Sequence, residues 1–269
     1  MLEVRSIASL DLPDLAPYRT LKRPIDHERE GIFVAEGEKV VCRLLQTDLR
    51  VVSVLVTPEW VEQLTPALEA RCETVTAFVA GREVLDQLVG FELYQGVLAV
   101  AKVPAQETLE SVLRQSKTPR LLVALDGLNN STNMGVVLRN CAAFGVQAVI
   151  TSETCTSPWL RRSVRNSMGA IFHLKTVAST NLVRDLEVMS NGGMKIVAAH
   201  PRSGASPLYE TDLSGDCCIV FGNEGDGISA AVLDACNEFA AVPMPPHVDS
   251  LNVSSASAAF LSEAARQRA

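Results

Sequence analysis

Hydrophobic and polar positions follow two alternating patterns along the first hundred residues. Short apolar runs rich in β-branched residues are each followed by a stretch with helical spacing. This alternation is typical of βαβ units, in which strands pack against crossover helices. It predicts strands at 32–35, 51–56, 74–79 and 96–103, with helices at 38–45 and 58–71.

The pattern restarts after a polar stretch at 104–120, which Pro104 and Pro119 bound and which has room for one amphipathic helix. The run 121–125 is wholly apolar, as in strands buried on both faces of a parallel sheet. Further strands are predicted at 146–151, 172–177, 194–199, 217–222 and 239–244, and helices at 133–144, 158–166, 181–189, 229–236 and 251–268. We therefore predict an α/β protein with a smaller domain at 1–103, a linker at 104–119 and a five- or six-stranded domain at 120–269.

Three helix starts carry side chains that commonly cap helices. Asn133, Ser157 and Ser250 each precede an apolar helical pattern, so each is interpreted as an N-cap. Asn252 is then expected just inside the last helix, where asparagine is a poor helix former whose amide offers both donors and acceptors.

Composition narrows the class of protein. Hydrophobic residues make up 47% and charged residues 20%, which indicates a folded globular chain and excludes intrinsic disorder. The chain has no long uncharged apolar run, and Glu3 and Arg5 interrupt its start, so we predict a cytosolic protein with no membrane span. The seven cysteines form no CxxC pair and are expected to be buried, reduced thiols rather than metal ligands.

Net charge argues against non-specific binding of nucleic acid. The chain has 24 Lys and Arg against 31 Asp and Glu, a net charge of −7. One basic stretch stands out, because no acidic residue occurs between Thr154 and Arg184. Two interpretations of this stretch remain open: it is an ordinary solvated surface, or it faces the phosphates of a nucleic acid. Its cations are Arg161, Arg162, Arg165, Lys175 and Arg184.

The second half contains two glycine- or amide-rich stretches next to predicted strands. In the first stretch, 126–139, two roles are open for Arg139. It forms an ordinary surface ion pair, or it holds an anion at the carboxyl edge of the sheet, where open α/β sheets bind ligands. In 220–229 the glycines are spaced GxxGxG rather than GxGxxG, so a nicotinamide site is not expected. Glu224, between Asn223 and Gly225, is unusual for a merely solvated carboxylate.

A third stretch, 242–254, leads into a helix rich in alanine and serine. Its small residues allow close packing against another element, and His247 is its only imidazole. We do not expect His247 to be catalytic.

In this order the stretches resemble the motifs of the SpoU/TrmH family of S-adenosylmethionine-dependent RNA ribose 2′-O-methyltransferases. The similarity covers residues 120–269, and the first hundred residues are more weakly similar to an L30e/L7Ae-like RNA-binding domain through 33–40 and 94–100. The carrying segments are Asn133-Met-Gly135 with Arg139, Ser167-Met-Gly-Ala170, Phe221-Gly-Asn-Glu-Gly-Asp-Gly, and Val242-Pro-Met244 with Ser250-Leu-Asn-Val-Ser254.

The resemblance implies a fold, a cofactor and a set of site residues. It implies a trefoil-knotted parallel sheet, an exception to the usual absence of knots, and a homodimer formed through the C-terminal domain. The catalytic set that it implies is Asn133, Arg139, Glu224, Ser250 and Asn252. S-adenosylmethionine would be held at Gly222, Val242, Met244 and Leu251. The distribution of positive charge, rather than the resemblance, suggests the residues that would hold structured RNA, which are Arg19, Lys22, Arg23, Arg161, Arg162 and Arg165.

Two positions depart from the family pattern. Asn130-Ser131 stands where an Asp-Pro pair is common, and Pro246 stands where the third motif usually has a glycine. Neither departure removes an implied polar group. Pro246 is expected to change the shape of the loop beside the methyl donor.

The expected mechanism follows from charge. Arg139 stays protonated in a protein, so it is not a general base. It is expected to stabilise the developing alkoxide, with a substrate phosphate as one acceptor for the proton, and no metal is required. Asn133 is expected to position Arg139 or the ribose. Ribosomal RNA of the large subunit is favoured over transfer RNA. A non-catalytic RNA-binding protein of the same fold and a nucleotide-binding α/β enzyme remain alternatives.

Overall fold

The computed structural model describes residues 1–89, 96–201, 204–245, 247–248 and 250–269. The described chain forms two compact units. The N-terminal unit comprises Met1–Ala105 and Trp159–Phe172, and the C-terminal unit comprises Gln106–Pro158 and His173–Ala269. The division predicted from the sequence had placed Trp159–Phe172 in the second domain.

Strands and helices alternate through both units. The elements up to residue 105 are β1 (Leu2–Ser6), α1 (Ala16–Arg19), α2 (Pro24–Glu30), β2 (Ile32–Glu36), α3 (Glu38–Leu45), β3 (Val51–Val56), α4 (Pro58–Glu69), β4 (Val75–Val79), α5 (Arg82–Val89) and β5 (Val97–Lys102). Those that follow are α6 (Leu109–Gln115), β6 (Leu121–Leu125), α7 (Ser131–Ala143), β7 (Ala148–Thr151), α8 (Arg161–Asn166), β8 (Lys175–Ala178), α9 (Leu182–Asn191), β9 (Lys195–Ala199), β10 (Ser206–Pro207), β11 (Cys217–Phe221), α10 (Ala230–Asp234), β12 (Glu238–Ala241) and α11 (Val253–Gln267).

The N-terminal unit contains a mixed sheet with strand order β1-β4-β3-β5-β2. Strands β1, β4 and β3 are parallel, and β5 is antiparallel to both β3 and β2. The four strands predicted here are confirmed, whereas β1, α1, α2 and α5 were not predicted. Strand β1 escaped prediction because it lies at the edge of the sheet, where Val4 is 53% exposed and no apolar alternation is needed.

A buried carboxylate connects β2 to the segment Trp159–Phe172. The Glu36 side chain is 9% exposed, and its Oε1 accepts a hydrogen bond of 2.8 Å from Arg165 while its Oε2 accepts one from Arg161. Phe33 packs against Trp159 and Phe172, with ring centroids 5.0 and 5.7 Å apart. A buried carboxylate is tolerated when it is paired and hydrogen-bonded, so these contacts explain why α8 belongs to this unit.

A second carboxylate in the N-terminal unit joins the starts of neighbouring elements. Glu73 Oε1 accepts hydrogen bonds from Val51 N–H at 2.9 Å and from Arg71 Nε at 2.7 Å. Partial burial by itself would raise the pKa of Glu73. The hydrogen bonds from Val51 and Arg71 outweigh that effect and lower the pKa to about 2.

The C-terminal unit contains a fully parallel sheet with strand order β10-β12-β9-β11-β6-β7-β8. These seven strands exceed the five or six predicted, because the two-residue β10 adds an edge. One apolar cluster of this unit includes Val112 of α6 and Leu186 and Met189 of α9. The helix predicted inside the linker therefore packs into the core of this unit.

Two elements near α8 are confirmed, but each begins three residues later than predicted. The helix expected at 158–166 with Ser157 as its cap begins at Arg161, and Leu160 occupies the cap position without a capping side-chain hydrogen bond. The strand expected at 172–177 is β8, which begins at Lys175 because a 3₁₀ turn at Ala170–His173 precedes it. Just before the start of α8, the Trp159 ring packs against Phe33.

The cysteine prediction holds in part. All seven cysteines are free, and Cys141, Cys217 and Cys218 are buried, but Cys72 is exposed. Burial raises the pKa of the Cys218 thiol well above its ordinary value, so the group stays protonated. Among the helices of the described residues, none combines the length and the apolar character that crossing a bilayer requires.

Candidate active site

The centre of the parallel sheet has the geometry of a ligand site. Strands β6 and β11 lie side by side, and the chain proceeds from β6 to β7 and β8 on one side but to β9 and β12 on the other. Open α/β sheets bind ligands outside the carboxyl ends of the strands where the order reverses in this way. The loops that follow β6 and β11 therefore meet at the expected place.

The loop after β6 is fixed by hydrogen bonds to its neighbours. Asp126 donates its N–H to Phe221 O at 2.8 Å, and its Oδ2 accepts from Ser229 N–H at 2.8 Å. Gly127, at a positive φ of 65°, donates its N–H to Ser152 Oγ at 3.0 Å. These bonds hold the carboxyl ends of β6, β7 and β11 in one arrangement.

The turn after β11 requires the glycine at its start. A Cβ on Gly222 would lie 2.2 Å from the carbonyl carbon of Gly227, so no larger residue fits without a backbone shift. Asn223 closes the turn by exchanging backbone hydrogen bonds with Gly227. Its side chain donates to Gly127 O at 2.7 Å and accepts from Gly225 N–H at 2.7 Å. No role was predicted for Asn223, although an asparagine within a glycine-rich turn is a signal for such hydrogen bonds.

Asn133 does not cap α7, contrary to the prediction. Asn130 is the N-cap, and its Oδ1 accepts from the N–H groups of Thr132 and Asn133. Asparagine stands at both positions, so only the structure distinguishes them. The Asn133 side chain is thereby free to donate from Nδ2 to Glu224 Oε1 at 2.5 Å. This bond identifies the partner of Glu224.

The third motif reaches the same amide from the start of α11. Asn252 is the N-cap of α11, rather than Ser250, and its Oδ1 accepts from Ser254 N–H at 2.9 Å. Asn252 Nδ2 donates to Asn133 Oδ1 at 3.4 Å, and Ser254 Oγ donates to the same atom at 3.1 Å. The three motifs therefore converge on Asn133. We call Asn133, Glu224, Asn252 and Ser254 the amide cluster.

Two members of the predicted catalytic set lie outside the amide cluster. Arg139 is exposed on α7, and its side chain has no hydrogen bond or ion pair within the described residues. It is six residues from Asn133, about 9 Å along the helix axis and on a different face. The side chain of Ser250 is exposed as well.

Comparison with known proteins identifies the family. The model of the SpoU rRNA Methylase family matches residues 120–262, which is more than half of the chain. The chain belongs to the SpoU rRNA methylase family. It is a SpoU/TrmH-type RNA methyltransferase, so the family predicted from the motifs is confirmed.

Individual relatives cover most of this SpoU methylase. The 23S rRNA (guanosine-2′-O-)-methyltransferase RlmB of Xanthomonas campestris is 33% identical over 74% of this chain and 81% of its own length. An uncharacterized tRNA/rRNA methyltransferase of Mycobacterium tuberculosis is 28% identical over 98% of this chain and 93% of its own. An AdoMet-bound rRNA methyltransferase from Sinorhizobium meliloti shares the fold, with a TM-score of 0.83 over 98% of both chains at 24% identity.

Two of the four residues predicted to hold the cofactor of this SpoU methylase directly follow strands of its parallel sheet. Gly222 and Val242 follow β11 and β12, which β9 separates, and Leu251 directly precedes Asn252 of the amide cluster. Within the described residues, the backbone groups of Gly222, Val242 and Leu251 make no hydrogen bond to neighbouring loops. Leu251 is 40% exposed and Met244 is half-buried. Backbone polar groups without a partner among the described residues, together with the apolar side chains of Met244 and Leu251, fit a ligand with a flat base and an amino-acid tail.

Two segments singled out in the sequence lie partly outside the described residues. Pro246 is one, and Tyr94 with Gln95 of the N-terminal motif is the other. Within the described part of the chain, no group of three or more His, Cys, Asp or Glu side chains is placed to hold a metal ion.

The six predicted RNA contacts of the SpoU methylase differ in their surroundings. Lys22, Arg23 and Arg162 are exposed. Arg161 and Arg165 pair with Glu36 in the N-terminal unit. Arg19 donates from Nη1 to the carbonyls of Leu10 and Leu12, so it closes a local loop. The basic stretch is thus partly neutralised by a carboxylate that lies far away in the sequence.

Proposed function

We propose that this protein transfers a methyl group from S-adenosylmethionine to a ribose 2′-hydroxyl of RNA. The observation that carries the proposal is the convergence of three separate motifs on Asn133 at the carboxyl edge of the sheet. The RlmB relatives are 23S rRNA guanosine-2′-O-methyltransferases, so 23S ribosomal RNA is the substrate we propose first. Transfer RNA is the second candidate, because the name of the M. tuberculosis relative covers both kinds of RNA.

The cofactor, when bound, supplies a methyl group on a sulfonium that already carries a good leaving group. The backbone groups of Gly222, Val242 and Leu251 would hold the polar edges of the adenosyl and methionyl parts. Apolar atoms of Met244 and Leu251 would cover the adenine. With the cofactor bound, these side chains would exclude water, and charged and polar groups nearby would then interact more strongly than in bulk solvent.

The amide cluster would position the ribose. Asn133 Oδ1 accepts from Asn252 and Ser254, and its Nδ2 donates to Glu224, so the orientation of the amide is defined by its partners. Glu224 is exposed and uses Oε1 for Asn133. We propose that its Oε2 accepts a hydrogen bond from a ribose hydroxyl. We assign Ser250 a substrate contact at the mouth of the same site.

Arg139 would stabilise the oxygen that attacks the methyl group. A guanidinium stays protonated, so it lowers the energy of the developing alkoxide without removing the proton. A phosphate of the RNA is the proposed proton acceptor. Arg139 lies on a different face of α7 from Asn133, and a homodimer through the C-terminal unit, which we also propose, would let Arg139 of one copy face the amide cluster of another.

Two further features of the fold belong to this proposal. We infer that the segment leading into α11 passes through a loop of the chain to form a trefoil knot, which the bonds from Asn252 and Ser254 to α7 support. We also infer that the N-terminal unit is an L30e/L7Ae-like RNA-binding domain. Such a protein needs access to RNA, in agreement with the predicted cytosolic location.

RNA contacts are proposed for the basic residues of the N-terminal unit. Lys22, Arg23 and Arg162 are exposed and would bind phosphates directly. Arg161 and Arg165 share the single carboxylate of Glu36, so the group keeps a net charge of +1. This remaining positive charge would attract RNA phosphates. Arg19 would act mainly by holding the loop at Leu10–Leu12.

Replacement of Arg139 tests this function. The variant Arg139→Ala is expected to bind S-adenosylmethionine within about threefold of wild type in calorimetry, while methyl transfer to 23S rRNA falls by roughly 10²- to 10⁴-fold. The matched control is Arg114→Ala, which removes an exposed arginine of α6 in the same unit. Full transfer by Arg139→Ala would refute the role.

The substrate is tested separately in cells. Ribose methylation is mapped in total RNA from cells with and without the protein. Loss of one 2′-O-methyl group from 23S rRNA is the expected result. Loss from transfer RNA alone would replace the first substrate with the second, and no lost ribose methylation would contradict the proposed reaction.

A further inference from the structure

A second asparagine of α7 binds the helix that carries the third motif. Asn140 follows Asn133 by seven residues, two turns along the same face of α7. Its Nδ2 donates to Ser254 O at 2.8 Å and to Ser257 Oγ at 3.0 Å, which uses both of its hydrogens. Ser257 Oγ in turn donates to Ser254 O at 2.9 Å. We call Asn140 and Ser257 the polar pair.

Ser254 connects the polar pair to the amide cluster. Its carbonyl accepts from Asn140 and Ser257, its Oγ donates to Asn133, and its N–H donates to the Oδ1 of Asn252. Any shift of the first turn of α11 against α7 would therefore change the bonds to Asn133 as well.

The packing between α7 and α11 gives a physical reason for a polar contact. The facing part of α11 is built from small residues at 254–259, and such side chains interdigitate little. Apolar contact between small side chains resists sliding weakly, whereas hydrogen bonds have a defined direction and length. Ser257 is fully buried, so its hydroxyl is costly unless it is paired in one alignment of the two helices.

We propose that Asn140 and Ser257 are positioning residues that set the alignment of α11 on α7 and thereby place Asn252 and Ser254 at Asn133. The proposal rests on the proposed function for its effect on methyl transfer. It goes beyond that function because neither residue reaches the substrate: both hydrogens of Asn140 are taken and Ser257 is buried.

The first variant is Asn140→Leu, which keeps the side-chain volume and removes both donors. The turnover number is expected to fall about tenfold, with the KM for RNA and the affinity for S-adenosylmethionine within about twofold of wild type. In the Asn133→Ala background, Asn140→Leu is expected to have no further effect, because both changes interrupt the same series of bonds. If the double variant instead loses turnover by the product of the two single effects, Asn140 acts independently of Asn133, which would overturn the proposal.

A second measurement does not depend on catalysis. Amide hydrogen exchange at Ser254 reports its bond to Asn252, and we expect it to become about tenfold faster in Asn140→Leu and in Ser257→Ala. The matched control is Ser262→Ala, which removes an exposed serine from the same helix. Unchanged exchange at Ser254, or faster exchange with an unchanged turnover number, would overturn the proposal.

The two proposals fail in different ways. If the wild-type protein transfers no methyl group to RNA, the proposed function is wrong, and hydrogen exchange still decides whether the polar pair aligns α11. If Asn140→Leu does not fold, Ser257→Ala carries the test, because it removes only one hydroxyl.

Discussion

Glu36 and Glu224 are the same side chain in opposite surroundings. Glu36 ends β2 in the N-terminal unit, is 9% exposed at its side chain and lies between two guanidinium groups. Glu224 lies in the turn after β11 in the C-terminal unit, is exposed and accepts from one amide. A buried carboxylate needs cations around it, and those cations leave no room for a ligand. An exposed carboxylate with one neutral partner keeps acceptor capacity for a substrate.

The largest expected effect comes from breaking the buried group. Glu36→Ala leaves Arg161 and Arg165 without their partner, and we expect the free energy of unfolding to fall by about 3 kcal/mol. Glu36→Gln keeps an acceptor without the charge, so it should cost less. Chemical denaturation followed by tryptophan fluorescence measures both, since Trp159 packs on Phe33. A loss below about 0.5 kcal/mol, ordinary for a surface position, would show that Glu36 does not anchor α8.

A third carboxylate, Glu73, sharpens the comparison through pH. Its pKa is lowered from 4.5 to about 2 in the folded protein, so its stabilising effect is complete above pH 4.5 and is lost as the pH falls toward 2. The loss amounts to roughly 2 to 3 kcal/mol. We expect Glu73→Gln to be less stable than wild type at pH 7 and to approach it near pH 2.5 in denaturant titrations. A constant difference across this range would contradict the assignment.

The smallest effect on stability and a clear effect on catalysis are expected at Glu224. Glu224→Ala removes the acceptor that orients Asn133, and methyl transfer should fall about 100-fold. The free energy of unfolding should change by no more than about 0.5 kcal/mol, because the side chain is exposed. Asp226→Ala is the matched control, an exposed acid in the same turn. Equal rates for the two variants would show that Glu224 has no special part.

Periodicity predicted the strands that are buried on both faces, because an apolar run such as 121–125 leaves few other structures. It did not predict β1, whose exposed edge needs no apolar pattern, and it misplaced three helix caps. Asn130 and Asn133 have the same side chain, and serine and asparagine cap helices about equally well, so Ser250 and Asn252 are also equivalent candidates. Which residue becomes the cap depends on contacts with residues that are distant in the sequence. The same holds for the start of α8, where Trp159 packs on Phe33.

Three members of the predicted catalytic set, Asn133, Glu224 and Asn252, are joined by hydrogen bonds in the structure, and the motifs did not predict those bonds. The partner of Glu224 is 91 residues away along the chain, and the partners of Glu36 are 125 and 129 residues away. No local pattern contains such pairings, because they arise only when the strands and helices have packed. No role was predicted for Asn140 and Asn223 for the same reason. Each donates to a backbone carbonyl that is distant in the sequence, so its role appears only in the folded structure.

Because Trp159–Phe172 belongs to the N-terminal unit, the protein cannot be divided into its two units by a single break in the chain. A fragment that stops at Ala105 would lack the arginines for Glu36 and the rings for Phe33. The complementary fragment would carry those groups with nothing to receive them. A chimaera that takes Met1–Ala105 from a relative must therefore take Trp159–Phe172 from the same relative. In a library of random fusions, we expect folded proteins only where these two segments come from one parent.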